Sequence, residues 1–123
     1  MKALVAYYSR TSITEKLAKE IAKESCADLE KITTNVKYTG KIGYARAGKD
    51  AMTEKIIDID KLNYNPADYD VIYLGGPVWA SKAATPLISY IKQNEGKFKT
   101  IPPQSQTDYK LSCKITFFML FDD

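Results

Sequence analysis

Four stretches of the chain carry strand-like patterns of apolar residues. Uninterrupted apolar runs occupy residues 3–8, 71–74 and 114–121, which is typical of strands covered on both faces of a parallel sheet. Residues 28–33 instead alternate polar and apolar positions, which indicates a strand nearer the edge of the sheet. The pattern therefore predicts four strands, three of them buried.

Segments with helical character lie between the predicted strands. Helices are predicted over about residues 13–23 and 42–56, and a third is expected to begin at Thr85 as N-cap, with Pro86 in the first helical position, and to close at Gly96. The second helix depends on an apolar set that consists of Ala45, Met52 and Ile56. Strands that alternate with helices predict an α/β protein, a three-layer α/β/α doubly wound parallel sheet.

The first strand ends in a turn that is rich in hydroxyl groups. Ser9, Thr11 and Thr14 surround the predicted start of the first helix, where unpaired N–H groups and the helix dipole favour an anion. An ordinary helix start explains the same residues without a ligand, because Ser12 is a good N-cap and Glu15 completes a capping box. Both interpretations stay open from these residues alone.

A second turn, predicted over residues 75–82, follows the buried strand at 71–74. Ligands of doubly wound sheets bind beyond the carboxyl ends of strands, and both turns follow such ends. Gly75 and Gly76 would let backbone approach a ligand closely, and the indole of Trp79, the only tryptophan, would stack on a flat ring. Alternatively, Trp79 packs over the edge of the core, as large aromatic residues in loops often do.

Composition narrows the class of function. The chain has 123 residues, enough for one domain, and its formal charge of +3 comes from scattered lysines, so nucleic-acid binding is not indicated. It contains no histidine, so no metal site is predicted and an enzyme would depend on a cofactor. No apolar run approaches the roughly 20 residues of a membrane span. Cys26 and Cys113 form no CxxC pair, and we expect reduced thiols in a cytoplasmic protein.

Residues 2–14 and 69–79 together resemble the flavodoxins and flavodoxin-like reductases. That family has a phosphate loop of the form Ser/Thr-x-Thr-Gly-x-Thr and lays an aromatic residue of its next loop against the flavin ring, where Trp79 stands here. The resemblance covers about residues 1–95 and implies one flavodoxin-like domain over residues 1–123, with strand order 2-1-3-4 and FMN as cofactor. The phosphate-loop pattern is matched by the hydroxyl residues Ser9, Thr11 and Thr14.

The sequence departs from this family pattern in two places. Ser12 stands where the family usually has glycine, and a serine at positive φ would cost about 1 kcal/mol. Residues 97–123 diverge: the run at 114–121 is expected to fill the fourth-strand position after a long loop, and the family's fifth strand and last two helices have no counterpart. A sheet of this kind would leave an apolar C-terminal edge, which predicts a homodimer formed through that edge, either by edge-to-edge pairing or by exchange of the C-terminal segment.

The resemblance implies an electron-transfer flavoprotein that exchanges electrons with a redox partner protein or a small-molecule reductant. Because the chain is slightly basic, an FMN-dependent NAD(P)H or quinone oxidoreductase stays open. A flavodoxin-like domain without cofactor, acting as an interaction or relic module, is the alternative, motivated by Ser12. The predicted FMN-binding residues are Ser9, Arg10, Thr11, Ser12, Ile13 and Thr14 at the phosphate and Pro77, Val78, Trp79, Ala80 and Ser81 at the ring.

Other α/β classes lack their chemistry in this sequence. A receiver domain requires an acidic pair after the first strand, where Ser9 and Arg10 stand. A low-molecular-weight phosphatase requires a cysteine in the first loop, and a nucleotide P-loop requires Gly-Lys-Ser/Thr. Neither is present in this chain.

Overall fold

A computed structural model of the chain describes residues 2–38, 40–53, 55–79, 82–94, 97, 100–101, 110–111 and 114–120. Strands and helices follow one another in the order β1 (Ala3–Tyr7), α1 (Ile13–Ser25), β2 (Asp28–Lys31), α2 (Gly40–Met52), β3 (Val71–Trp79), β4 (Lys82–Ala83), α3 (Thr85–Gln93), β5 (Thr100–Ile101), β6 (Lys110–Leu111) and β7 (Lys114–Leu120). A single 3-10 turn, Pro66–Asp68, precedes β3.

Four parallel strands form the central sheet in the order β2-β1-β3-β7. In this register, Val5 of β1 lies between Leu29 of β2 and Tyr73 of β3, and Tyr73 in turn faces Thr116 of β7. The predicted strand order is confirmed, and the apolar run near the C-terminus occupies the fourth-strand position beside β3. Strands β5 and β6 form a separate antiparallel pair.

The two faces of the sheet are covered by different helices. Val5 and Tyr7 of β1 pack in one cluster with Ala18 and Ala22 of α1. The alternate residues of β1 belong to a second, larger cluster that includes residues of α2 and α3. Because successive side chains of a strand point to opposite faces, β1 supplies both cores of the three-layer α/β/α fold.

Strand β3 is longer than its sequence pattern predicted. It continues from Val71 to Trp79, whereas the apolar run indicated a strand only over residues 71–74 followed by a turn. Its extension is stabilised from both sides, because β7 pairs with it as far as Pro77 and β4 pairs antiparallel with its last two residues. The segment at 75–79 is therefore strand rather than loop.

Helix α2 forms within its predicted region but presents a different face to the core. Its buried residues are Gly43, Ala47, Asp50 and Ala51, whereas Met52 is 69% exposed. The small face turns inward because Gly43 contacts the backbone of Tyr38 and Asp50 accepts a hydrogen bond from the Tyr38 hydroxyl at 2.7 Å. The predicted apolar set of this helix was wrong.

The start of α3 also differs from the prediction. Thr85 is the first helical residue, and the N-cap is Ala84, which has no capping side chain. Pro86 stands in the first turn, where its missing N–H leaves no hydrogen bond unmade. The predicted closing residue, Gly96, lies outside the described residues, as does Cys113. No helix in the described part of the chain is long and apolar enough to cross a bilayer.

Candidate cofactor site

The structure brings the two predicted binding segments together at one edge of the sheet. Tyr7 of β1 is in register with Gly75 of β3, and the Tyr8 N–H donates to the carbonyl oxygen of Gly75 at 3.0 Å. The rings of Tyr8 and Trp79 then meet edge to face, with centroids 5.7 Å apart. The hydroxyl-rich turn between β1 and α1 therefore lies beside the carboxyl end of β3.

Ser12 adopts a left-handed backbone conformation at the start of α1. Its φ is 75° and its ψ is 4°, and its carbonyl oxygen accepts the first hydrogen bond of the helix from the Lys16 N–H. Its side chain makes no capping hydrogen bond, because an N-cap hydroxyl reaches the first-turn N–H groups from extended backbone rather than from this conformation. The predicted capping box is wrong, and Ser12 stands at a positive φ that favours glycine.

Glu15 binds partners other than the helix start. Its carboxylate accepts a hydrogen bond from the Tyr7 hydroxyl at 3.0 Å and forms a salt bridge with Lys31 at 3.0 Å. Hydrogen bonds from Lys31 and then from Tyr7 hold the pKa of Glu15 below its usual range. Burial, followed by the hydrogen bond to Glu15, raises the pKa of Tyr7. These contacts attach the first turn of α1 to β1 and β2, and they pair the Glu15 carboxylate with a cation.

The hydroxyl side chains of the turn differ in exposure. Thr11 and Ser12 are exposed and Ser9 is half-buried, whereas Thr14 is fully buried in the first turn of α1. The accessible hydroxyl groups are therefore those of Ser9, Thr11 and Ser12. Ile13, which was predicted to contribute its backbone, is 43% exposed.

Arg10 crosses from this turn toward α2. Its Nη1 donates to the carbonyl oxygen of Tyr38 at 3.4 Å, and its guanidinium lies over the Tyr44 ring, 5.5 Å from the centroid. Tyr44 is itself 68% exposed. The sequence pattern did not indicate the contacts of Arg10 with Tyr38 and Tyr44, because both tyrosines come from a region for which no contact with the turn was predicted.

Trp79 is a packed residue at the end of β3. Only 6% of it is exposed, and its ring contacts Tyr38, with centroids 4.8 Å apart, in addition to Tyr8. Its Nε1 is buried and has no hydrogen-bond partner among the described residues. The indole offers little free surface, so its contact with a flavin ring stays a prediction.

The remaining residues predicted at the ring are described only in part. Pro77 is buried and Val78 is half-buried, both within β3. Ala80 and Ser81 lie outside the described residues. The structure therefore places Pro77 and Val78 on the same strand as Trp79.

The two glycines of β3 make room for protein side chains. A Cβ at Gly75 would overlap the Phe118 ring, which lies directly over this position. A Cβ at Gly76 would come within 3.2 Å of Leu87 and 3.6 Å of the carbonyl oxygen of Tyr8. Glycine is needed at both positions because the side chains of Phe118 and Leu87 approach the β3 backbone closely. These protein contacts account for the two glycines without a ligand.

A hydroxyl-rich turn before a helix N-terminus, at the carboxyl edge of a doubly wound parallel sheet, is typical of α/β proteins that bind phosphorylated ligands at this edge. The family model described as Flavodoxin matches residues 2–110. The chain therefore belongs to the flavodoxin family. A search of curated proteins found no match.

Solved structures with the same fold come from several bacteria. A flavoprotein from Lactobacillus acidophilus NCFM, crystallised in complex with FMN, is 22% identical, with a TM-score of 0.68 over 96% of this chain and 73% of that one. A candidate flavoprotein from Bacteroides uniformis is 23% identical, with a TM-score of 0.76 over 99% of this chain and 73% of that one. Another from Bacteroides eggerthii is 22% identical, with a TM-score of 0.71 over 96% of this chain and 69% of that one.

Proposed function

We propose that this chain binds FMN and serves as an electron-transfer flavoprotein. The observation that carries the proposal is the left-handed turn at Ser12, which opens the N-terminus of α1 beside the carboxyl end of β3. Membership of the flavodoxin family and a similar protein crystallised with FMN support the identity of the ligand. When bound, FMN would supply the redox chemistry, and the protein would hold and orient it.

The chemistry of the turn fits a phosphate group. The accessible hydroxyl groups of Ser9, Thr11 and Ser12 are donors, and the N–H groups of the first turn of α1 carry the positive end of the helix dipole. The nearby Glu15 carboxylate is paired with Lys31, which reduces its repulsion of an anion. Each of these features favours a bound phosphate over an empty helix start.

The surroundings of the turn suggest how a flavin ring would be held. Tyr44 is mostly exposed and stands beside Arg10, next to the phosphate turn, so it offers an aromatic surface that Trp79 does not. Trp79, Tyr38 and Tyr8 form a packed aromatic base behind it. We propose Tyr44 as an additional ring contact, together with the residues predicted from the sequence.

Titration of the flavin-free protein with FMN tests the proposal. We expect saturable binding, seen as a change in Trp79 fluorescence and in flavin fluorescence, because Trp79 is the only tryptophan and lies beside the turn. Substitution Thr11→Ala should weaken FMN about tenfold, since a hydrogen bond to a charged group contributes roughly 1.5–3 kcal/mol. Riboflavin, which lacks the phosphate, should bind the variant and the parent protein equally.

A matched control and the contrary outcome make this test decisive. Thr116→Ala removes an exposed hydroxyl from β7, away from the turn, and should leave FMN affinity unchanged. Unchanged fluorescence up to millimolar FMN would reject cofactor binding and favour the interaction module. If Thr11→Ala lowered the affinity for FMN and for riboflavin equally, the phosphate of FMN would not bind at the turn.

We also propose a reducing, cytoplasmic location. Its support is Cys26, a free and exposed thiol that follows the last turn of α1. Free thiols of this kind persist where glutathione and thioredoxin keep them reduced. We propose in addition that the electron donor of this flavoprotein is a redox partner protein or a small-molecule reductant.

A further inference from the structure

A second concave site lies away from the hydroxyl-rich turn, between the end of α2 and one side of α3. It is a cleft of about 480 Å³, within the range of about 300–1,000 Å³ that is usual for small-molecule sites. The residues that line it are Ala51, Lys55, Ile56, Lys82, Ala83, Thr85, Ile88 and Lys92. We call this site the α2–α3 cleft.

The walls of the α2–α3 cleft are largely apolar. Ile88 is half-buried on α3, and Ile56, just beyond α2, is 49% exposed. Ala51 and Ala83 are small residues that leave space between these two side chains. The cleft can therefore accept an apolar body.

Among the described residues that line the cleft, the charged side chains are all lysines. Lys55, Lys82 and Lys92 contribute ammonium groups, and no carboxylate is among the described residues that line the cleft. Neither Lys55 nor Lys92 forms a salt bridge within the described part of the chain. A cleft with apolar walls and the ammonium groups of Lys55 and Lys92 at its rim matches a ligand that combines an apolar body with an anionic group.

The first turn of α3 supplies a further polar group to the same cleft. Thr85 is 2% exposed, and its Oγ1 is buried without a hydrogen-bond partner among the described residues. Buried hydroxyl groups are normally hydrogen-bonded, so Thr85 gives the cleft a donor whose acceptor is not among the described residues. A carboxylate oxygen is such an acceptor.

We propose that the α2–α3 cleft binds a small carboxylate with an aromatic or aliphatic body. The apolar body lies between Ile56 and Ile88, and the carboxylate meets Lys55 and Lys92. The residues that line this cleft are not among those proposed to hold FMN, although Lys82 follows Ser81 in the chain and pairs with Trp79. Binding here does not require that FMN binds to the turn.

Fluorescence titration with 2-naphthoate tests the proposal, with 2-naphthylmethylamine as the probe of the same body and opposite charge. We expect saturable binding of one 2-naphthoate per chain and no saturable binding of the amine. The double substitution Lys55→Gln and Lys92→Gln should weaken 2-naphthoate at least about fivefold, because two favourable charge interactions are lost. The matched control, Lys23→Gln with Lys61→Gln, removes the same charge elsewhere on the surface and should leave the affinity unchanged.

A second pair of variants tests the apolar wall. Ile56→Asp should weaken 2-naphthoate at least about tenfold, because it removes apolar contact and adds a like charge beside the carboxylate. Ile42→Asp makes the same change at an 87% exposed position of α2 outside the cleft and should have no effect. Since all these side chains are on the surface, far-ultraviolet circular dichroism should show every variant folded.

Three results would overturn the proposal. They are the absence of saturable 2-naphthoate binding, an equal affinity in the cleft variants and their controls, and competitive displacement of 2-naphthoate by FMN. The last result would assign the probe to the cofactor site. Failure of FMN to bind, by contrast, would leave the cleft proposal intact and reject only the proposed function.

Discussion

At the scale of single residues, Ser12 shows how one backbone angle separates two interpretations of the same turn. An ordinary capping serine would hold extended backbone and use its hydroxyl on the first-turn N–H groups. Here the φ of 75° removes that hydrogen bond and leaves the side chain exposed. The left-handed conformation is what the resemblance to the flavodoxin phosphate loop implies for the position where glycine is usual.

The strain at Ser12 has a measurable consequence. We expect Ser12→Gly to stabilise the protein by about 1 kcal/mol, because glycine adopts positive φ without the Cβ penalty. Ser12→Ala retains that penalty and loses no capping hydrogen bond, so its stability should stay within about 0.5 kcal/mol of the parent. Urea unfolding of the three proteins measures both values, and a Ser12→Gly protein no more stable than Ser12→Ala would contradict the assigned conformation.

Glu15 gives stability a defined dependence on pH. Its pKa in the folded protein lies below its ordinary value of 4.5, so the folded state keeps the carboxylate charged where the unfolded chain binds a proton. Its contribution is therefore fully present above about pH 5 and is lost as pH falls through the lowered pKa. We expect Glu15→Gln to destabilise the protein at pH 7 and to destabilise it less at about pH 3, as measured by urea unfolding.

Glu20→Gln is the matched control for this pH dependence. Glu20 is exposed on the same helix, so its substitution should leave the parent's pH profile nearly unchanged. An equal loss of stability for Glu15→Gln at both pH values would show that packing, rather than charge, explains its effect.

At the scale of elements, helix α2 shows why a helix can be predicted while its orientation cannot. The apolar set of Ala45, Met52 and Ile56 pointed to one face, but the structure buries a face of small residues instead. Tyr38 determines which face of α2 is buried, because its backbone contacts Gly43 and its hydroxyl donates a hydrogen bond to Asp50. Tyr38 lies before the helix, so the periodicity of the helix itself does not contain this information.

Gly43 and Gly48, two glycines in the interior of α2, should respond in opposite ways to the same substitution. A Cβ at Gly43 would lie 2.8 Å from the carbonyl oxygen of Tyr38, and this backbone cannot move aside easily. We expect Gly43→Ala to destabilise the protein by about 1–3 kcal/mol, despite the helix propensity of alanine. Gly48 has no atom within 4 Å of its Cβ position, so Gly48→Ala should stabilise by about 0.5–1 kcal/mol.

Thermal or urea unfolding of the two alanine variants checks this pair. Because both glycines lie in the interior of the same helix, the propensity gain is shared and the difference between the variants isolates the contact with Tyr38. Two variants that are equally stable would show that α2 does not approach the Tyr38 backbone as closely as the structure places it.

The sequence predicted local features well and pairings between distant segments poorly. Uninterrupted apolar runs marked the parallel strands, because buried parallel strands need no partner to produce that pattern. The position of the run at 114–121 beside β3 followed from the resemblance to the flavodoxins and not from the pattern. The length of β3 escaped prediction, since Gly75, Gly76 and Pro77 read as a turn until β4 and β7 pair with them. For the same reason, Tyr38 and Tyr44 beside the turn could not be found from their neighbours in the sequence.

At the scale of the whole molecule, β7 is the element that leaves the fold open to a partner. It pairs with β3 on one side, and no strand within the described residues pairs with its other side. Phe118 packs over Gly75, whereas the adjacent Phe117, on the opposite face, is 55% exposed. A seven-residue strand that is paired on one side only within the described residues, and that carries an exposed aromatic side chain, is a template for pairing with another strand.

We propose that a second copy of this chain pairs at β7, because a two-fold contact would place one edge strand beside the other and cover both copies of Phe117. Sedimentation velocity at micromolar concentration should then show a dimer. Phe117→Lys should shift it to monomer, since the substitution puts a charge at the edge. Ile42→Lys, at an 87% exposed position of α2, is the control and should stay dimeric. A stable monomer of the parent protein, or dissociation of both variants alike, would place any association elsewhere on the molecule.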